Sequence, residues 1–202
     1  MTAGSGQARP VYVLLDMSGS TVRGGFAAGR DQAIPLLIDE ATRYPGLLVS
    51  VLRYATQADT LVWLSHPEDI KLIPATVPAG LSSLAAGLRL FAASAREDAA
   101  RFAADGIACL PPVALIVADG LPTDPADELL AAREELNVAL TEAGGLASPP
   151  AFAAPAHTDR LAVAGLRMDF HLLDDSGPAS LASSILAAFV RTLAVLVPPL
   201  PH

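Results

Sequence analysis

The chain has one cysteine, Cys109, one lysine, Lys71, and only 5% aromatic residues. A single cysteine excludes an intramolecular disulfide and any Cys/His cluster of the kind that holds structural zinc. Cys109 lies just before an apolar run and reads as a small buried thiol. Scarce aromatics mean that the core is built from Leu, Val, Ile and Ala. Basic residues are also few, 13 against 21 acidic, for a net charge of −8. No basic stripe interrupts that balance, which argues against a nucleic-acid partner. No run of about 18 uncharged apolar residues is present, so no membrane span is expected. The best approximation, Leu181 to Leu200, is broken by Arg191 and two prolines. The first ten residues lack the basic-then-apolar pattern of a secretion signal. These absences lead to the expectation of a soluble, cytoplasmic protein.

What the sequence does contain is enough apolar material, 52% of 202 residues, for one sizeable core. Residues 1–9, with GlySerGly at 4–6, read as a flexible N-terminus. Residues 10–197 read as a single domain and 198–202 as a loose tail. Val11 to Leu15 is a short continuous apolar run, the mark of a strand covered on both faces. Arg30 to Tyr44 has helical apolar spacing and stops at Pro45-Gly46. Leu47 to Ala55 and Thr60 to Leu64 read as two strands of a hairpin, because their connection is short. Ser82 to Asp105 is a helix. Val113 to Ala118 is a second buried strand ending at AspGly, and Pro125 to Ala143 a helix stopped by GlyGly. Leu146 to Ala156, rich in Ala and Pro, reads as a loop. Asp159 to Ala164 reads as one or two helical turns, Leu166 to Leu173 as a strand, and Ala179 to Val197 as the last helix, with Ser176 or Ser180 as its cap. Alternating strands and helices predict an α/β fold: a doubly wound, Rossmann-like, mainly parallel sheet with one antiparallel edge strand and helices on both faces.

Ligands of such sheets bind outside the carboxyl ends of the strands. Two carboxylates stand at such ends, Asp16 in VYVLLDMSGST and Asp119 in ALIVADGLPTD. If their strands are neighbours, the two converge. Asp16, Ser18 and Ser20 alternate, which puts three oxygen-bearing side chains on one side of an extended segment. Hard oxygen donors suit Mg²⁺ or Mn²⁺ rather than zinc. With one more hydroxyl they would leave a position for water or an incoming carboxylate.

DMSGS resembles the DxSxS motif of von Willebrand factor A (VWA) domains, whose metal-ion-dependent adhesion site lies at the top of a doubly wound sheet. The resemblance covers Val11 to Val197 and implies a fold of that type. It also implies a second-loop hydroxyl, where the family often shows Thr. AGLSSLAAGL aligns Ser82 with that position, with Ser83 as the neighbouring possibility. Asp119 matches the third-loop aspartate. The implied site is therefore Asp16, Ser18, Ser20, Ser82 and Asp119 around Mg²⁺ or Mn²⁺, with a partner protein's carboxylate completing the shell and no catalytic residues. Within the family, VSVLRYATQADTLVWL and DGLPTD are similar to TerY-like proteins of bacterial tellurium-resistance and stress clusters. That narrower likeness implies a role in a stress-response or conflict-type complex.

Plainer readings stand beside this one. DxSxS can be a Ser-rich turn, Ser82 a helix N-cap, and the whole chain a scaffold that needs no metal. Asp124 reads as the cap of the helix beginning at Pro125, and Asp31 and Asp39 as solvated charges. The four histidines lack metal-ligand spacing and read as structural or surface groups, and Trp63 as a packed or partly exposed hairpin residue. An aspartyl-nucleophile phosphatase would use Asp16 as nucleophile and Asp119 to bind Mg²⁺. It would need an acid where Ser18 stands and a lysine near phosphate. No GlyxSerxGly elbow supports a serine hydrolase.

Overall fold

The computed structural model describes residues 6–74, 76–145, 148–158, 163 and 165–194. The strands are β1 (Gln7–Asp16), β2 (Leu47–Tyr54), β3 (Ala58–Ser65), β4 (Ala108–Cys109), β5 (Val113–Val117), β6 (Ala151–Pro155) and β7 (Asp169–Leu173). The longer helices are α1 (Phe26–Ala41), α2 (Leu84–Ala104), α3 (Ala126–Glu142) and α4 (Pro178–Ala194). The sheet runs β3-β2-β1-β5-β6-β7, and the short β4 pairs with the start of β1. Every pairing is parallel except β2 with β3, the expected hairpin at the edge.

The apolar runs are continuous because each strand faces two cores. Successive side chains of a strand point to opposite faces. Val11, Val13 and Leu15 join Val49, Val51, Leu115 and Ala153 beneath α1 and α4. Tyr12 and Leu14 join Leu52, Tyr54, Ile116 and Phe152 beneath α2 and α3. Asp16 continues the even-numbered series, so it leaves the strand on the side of Tyr54 and the α2 N-terminus. That parity sets the geometry of the site.

Several sequence expectations are corrected. The stretch expected to be a loop, Leu146 to Ala156, contains β6, a strand buried at every position between β5 and β7. Phe152 apart, its alanines and proline carry little strand propensity of their own. Helix α1 begins four residues early, because Gly24 and Gly25 at φ 62° and 77° turn the chain just before Phe26. The last strand begins at Asp169, and α4 at Pro178, which puts Ser180 inside the helix rather than at its cap. Cys109 is half-buried in β4 rather than buried, and burial still pushes its thiol upward. Trp63 is 65% exposed on the edge strand. Most of the expected helical turns at Asp159 to Ala164, along with His202, lie outside the described residues. No described helix is long and apolar enough to cross a membrane.

Helices α1 and α4 pack closely through Gly29. A Cβ there would stand 2.7 Å from Leu181 Cδ2 and 2.8 Å from the Pro178 carbonyl oxygen. Gly29→Ala should therefore destabilise by about 1–3 kcal/mol through overpacking, although alanine is the better helix former. Urea denaturation checks this. An unchanged or raised midpoint would mean that the two helices are not in such close contact.

Candidate metal centre

Three loops meet at the carboxyl end of the sheet, and backbone hydrogen bonds join them. The Gly19 amide donates to the Gly80 carbonyl at 3.0 Å, and Ala79 to Met17 at 3.0 Å. Thr123 donates to the Ser82 carbonyl from its amide at 2.8 Å and from its hydroxyl at 3.1 Å. Glycine is required at two of these turns. At Gly80, φ is 78° and a Cβ would fall 2.4 Å from Thr56 Oγ1. At Gly120, φ is 79° and a Cβ would fall 2.1 Å from Thr158 Cγ2.

Asp16 lies at the centre and is fully buried. Its Oδ1 accepts from the Ser18 amide at 2.8 Å. Its Oδ2 accepts from the Ser82 hydroxyl at 3.0 Å and the Tyr54 hydroxyl at 3.2 Å. Ser18 and Ser20 share a hydrogen bond of 2.8 Å between their hydroxyls. Asp119, almost fully buried, uses Oδ1 to accept from the Leu121 amide at 3.1 Å. Its Oδ2 is buried and has no hydrogen-bond partner among the described residues. Both aspartates thus fold back onto the amide two residues ahead.

Burial pushes the Asp16 carboxyl above its ordinary value of 3.8. The Ser18 hydroxyl and amide pull it down, the nearby Asp119 charge pushes it up, and Ser82 lowers it slightly. Burial, with the two carboxylates beside it, likewise pushes the Tyr54 phenol far upward, so Tyr54 stays a donor.

Ser82 and Ser83 take different roles. Ser82 faces Asp16. Ser83 caps α2, accepting from the Ala86 amide at 3.3 Å. Asp124 is a further correction. It does not cap α3, whose N-cap carries no side-chain bond. Its carboxylate crosses to α2, accepting from the Ser83 hydroxyl at 2.6 Å and the Ala85 amide at 3.1 Å. It thereby ties the third loop to the second. Asp31 is not merely solvated either: it accepts from Nη2 of Arg30 at 2.7 Å.

Arg30 itself was not anticipated. It is fully buried, and its Nη1 donates to the carbonyl of Asp16. It shares the buried face of α1 with Ala33 and Ile34, three and four residues on. Thr21, also buried, donates to the Ser18 carbonyl at 2.7 Å. Tyr54 was not legible from sequence, because its role follows from its pairing with Asp16 across β1 and β2.

Sequence-expected residues Asp16, Ser18, Ser20, Ser82 and Asp119 are thus gathered at one place. Their fit to a cation can be judged from the donor set. Carboxylate oxygens only accept hydrogen bonds, and a buried acceptor without a donor costs about 1–3 kcal/mol. Asp119 Oδ2 is such an acceptor, beside a second buried carboxylate. An all-oxygen set of this kind fits a hard divalent cation. Among the described residues, no group of three or more His, Cys, Asp or Glu is placed to hold a metal. The cup has only two carboxylates, and hydroxyls make up the rest.

This architecture is the VWA fold. The VWA domain of SpRpn10 superposes with a TM-score of 0.57 at 10% identity, over 88% of this chain and 94% of that one. The ArnB paralog VWA2 from Sulfolobus acidocaldarius gives 0.59 at 15% identity, over 91% and 45%. The pilus adhesin SpaC from Lactobacillus rhamnosus GG, in its open conformation, gives 0.67 at 10% identity, over 93% and 30%. The chain therefore spans less than half the length of VWA2 and under a third of SpaC. No family profile and no curated protein matches the sequence.

Asp16 provides a test of the metal-free site. Its raised pKa means that the folded chain holds this proton more tightly than the unfolded chain does. In chelator, the Asp16 contribution is unfavourable above the raised pKa and is relieved as pH falls through it toward 3.8. Asp16→Asn removes this titration. Measured in EDTA, the denaturant midpoint of wild type should rise relative to that of Asp16→Asn as pH falls through that window. Parallel curves would contradict the burial cost assigned to Asp16.

Proposed function

We propose that the chain is a non-catalytic protein-binding module that depends on Mg²⁺ or Mn²⁺. The single observation that carries this reading is Asp119 Oδ2, buried beside the Asp16 carboxylate and without a hydrogen-bond partner among the described residues. Asp16, Ser18, Ser20, Ser82 and Asp119 would hold the ion. The ion would supply a positive charge that accepts a carboxylate from a partner protein. The residues of the chain do the rest. Arg30 and Tyr54 fix Asp16, and Thr21 fixes the backbone of Ser18. Thr123 and Asp124 lock the second loop to the third. The partner's carboxylate then meets a preformed site, with little ordering cost on this side.

The VWA fold supports an interaction module, and the neighbours include a pilus adhesin. The narrower TerY-like assignment, a role in a bacterial stress-response or conflict-system complex, rests on the sequence likeness alone. Two observations weigh against the phosphatase reading. Ser18, a hydroxyl at the position of the required acid, is hydrogen-bonded to Ser20. Lys71 lines a groove on the flank of α1, away from the cup, and donates to the Glu68 carbonyl.

Thermal unfolding with and without Mg²⁺ or Mn²⁺ tests the reading. A ligand bound only by the folded state adds about 2.7 kcal/mol at a hundredfold excess over Kd. For a chain of this size that is roughly 5–10 °C in Tm. Wild type should gain stability of this order, and Asp16→Ala and Asp119→Ala should gain none. No gain in wild type would favour a metal-independent scaffold, and an equal gain in the variants would place the ion elsewhere.

A further inference from the structure

A small pocket of about 180 Å³ opens beside the cup. Ser20 and Asp119 form the side toward the cup, Phe26, Leu121 and Pro155 are its apolar walls, and Arg23 lines it as well. At about 30 Å³ per liquid water, its volume corresponds to roughly six waters. That is room for one side chain, not for a helix or strand.

Arg23 is the informative member. Arg30, Arg43, Arg53, Arg89, Arg96 and Arg101 each pair with a carboxylate. The Arg23 guanidinium has no ion pair or hydrogen bond among the described residues, although the chain carries a net charge of −8. It stands exposed where the backbone leaves a helical turn, with ψ 146°, just before Gly24 at φ 62°. An arginine without a partner among the described residues, lining an apolar-walled pocket that ends at the Ser20 and Asp119 oxygens, suits a carboxylate.

The remaining charges of the pocket decide when that carboxylate enters. Asp175 lines the pocket and lies 3.3 Å from His157 Nδ1. Against Arg23 stand Asp119 and Asp175, with Asp16 buried behind. Without a cation the pocket repels an anion, and with a divalent cation the balance reverses.

We propose that this pocket receives a single glutamate side chain of the partner, with Arg23 as the residue that selects it. This rests on the metal-dependent reading above and goes beyond it by naming the residue type and its second contact. The glutamate's methylenes pack on Phe26, Leu121 and Pro155, and its carboxylate reaches between Arg23 and the cup. Aspartate, one methylene shorter, leaves those apolar walls uncovered when its carboxylate is at the cup.

The test uses the full chain and three probes, the N-acetyl N-methylamides of glutamate, aspartate and glutamine. Binding is read from backbone amide shifts of Ser20, Gly120, Leu121 and His157, in Mg²⁺ and in EDTA. Metal loading is established separately by the Tm gain. In Mg²⁺ the glutamate probe should bind more tightly than the aspartate probe, and the glutamine probe should not bind. Arg23→Ala should weaken the glutamate probe by about tenfold without changing the Tm gain. Arg23→Lys should recover part of the loss, and Asp175→Asn should tighten binding. If wild type gains stability from Mg²⁺ but the glutamate probe binds no better than glutamine, or Arg23→Ala binds equally well, the assignment of Arg23 fails while the metal-dependent module stands. If Mg²⁺ gives no stability at all, both fail.

Discussion

The burial of Asp16 is the constraint on which the rest of the site depends. A carboxylate at the end of a central strand, fully enclosed, must be surrounded by donors or it will take up a proton. The chain provides the Ser18 amide, the Ser82 hydroxyl and the Tyr54 hydroxyl for the side chain. It provides the buried Arg30 guanidinium for the carbonyl of the same residue. Each donor comes from a different element: the loop after β1, the loop before α2, the end of β2, and α1. The same contacts that solvate Asp16 therefore hold four elements in register. Asp119 is less well provided for, with one oxygen buried and without a partner among the described residues. On the proposed reading, a divalent cation would relieve that deficit.

The second loop shows how the chain compensates for a residue choice. Ser82 lacks the methyl group that would restrict χ1 in threonine. Here its hydroxyl is held by Asp16 and its carbonyl by two donors of Thr123. Asp124 and Ser83 cap α2 directly behind it. The side chain is thus positioned by its neighbours rather than by its own branching.

Much of this was readable from the sequence because parity and spacing are local. Val11 to Leu15 and Val113 to Ala118 are apolar at every position, which only a strand with two covered faces requires. The hairpin followed from the short connection between two strand-like runs. What was not readable depended on partners distant in sequence. Strand β6 is three alanines, one phenylalanine and a proline, and its pairing between β5 and β7 makes AFAAP a strand. Asp124 has the sequence position of an α3 cap, yet its carboxylate finds the α2 N-terminus across the loop. Tyr54 becomes a donor to Asp16 through strand register, which no short motif encodes. Arg30 lies on the apolar face of a helix, where a charged residue is easily taken for a lapse in the pattern.

The central claim is that these five oxygen-bearing residues hold a divalent cation. The most direct measurement is anomalous diffraction from crystals of the full chain soaked in Mn²⁺. The account expects one strong peak within coordination distance of Ser18, Ser20 and Asp119 oxygens, absent in Asp119→Ala. Crystals of an open, folded protein with no peak at the cup, or with the peak at another acidic surface, would contradict it.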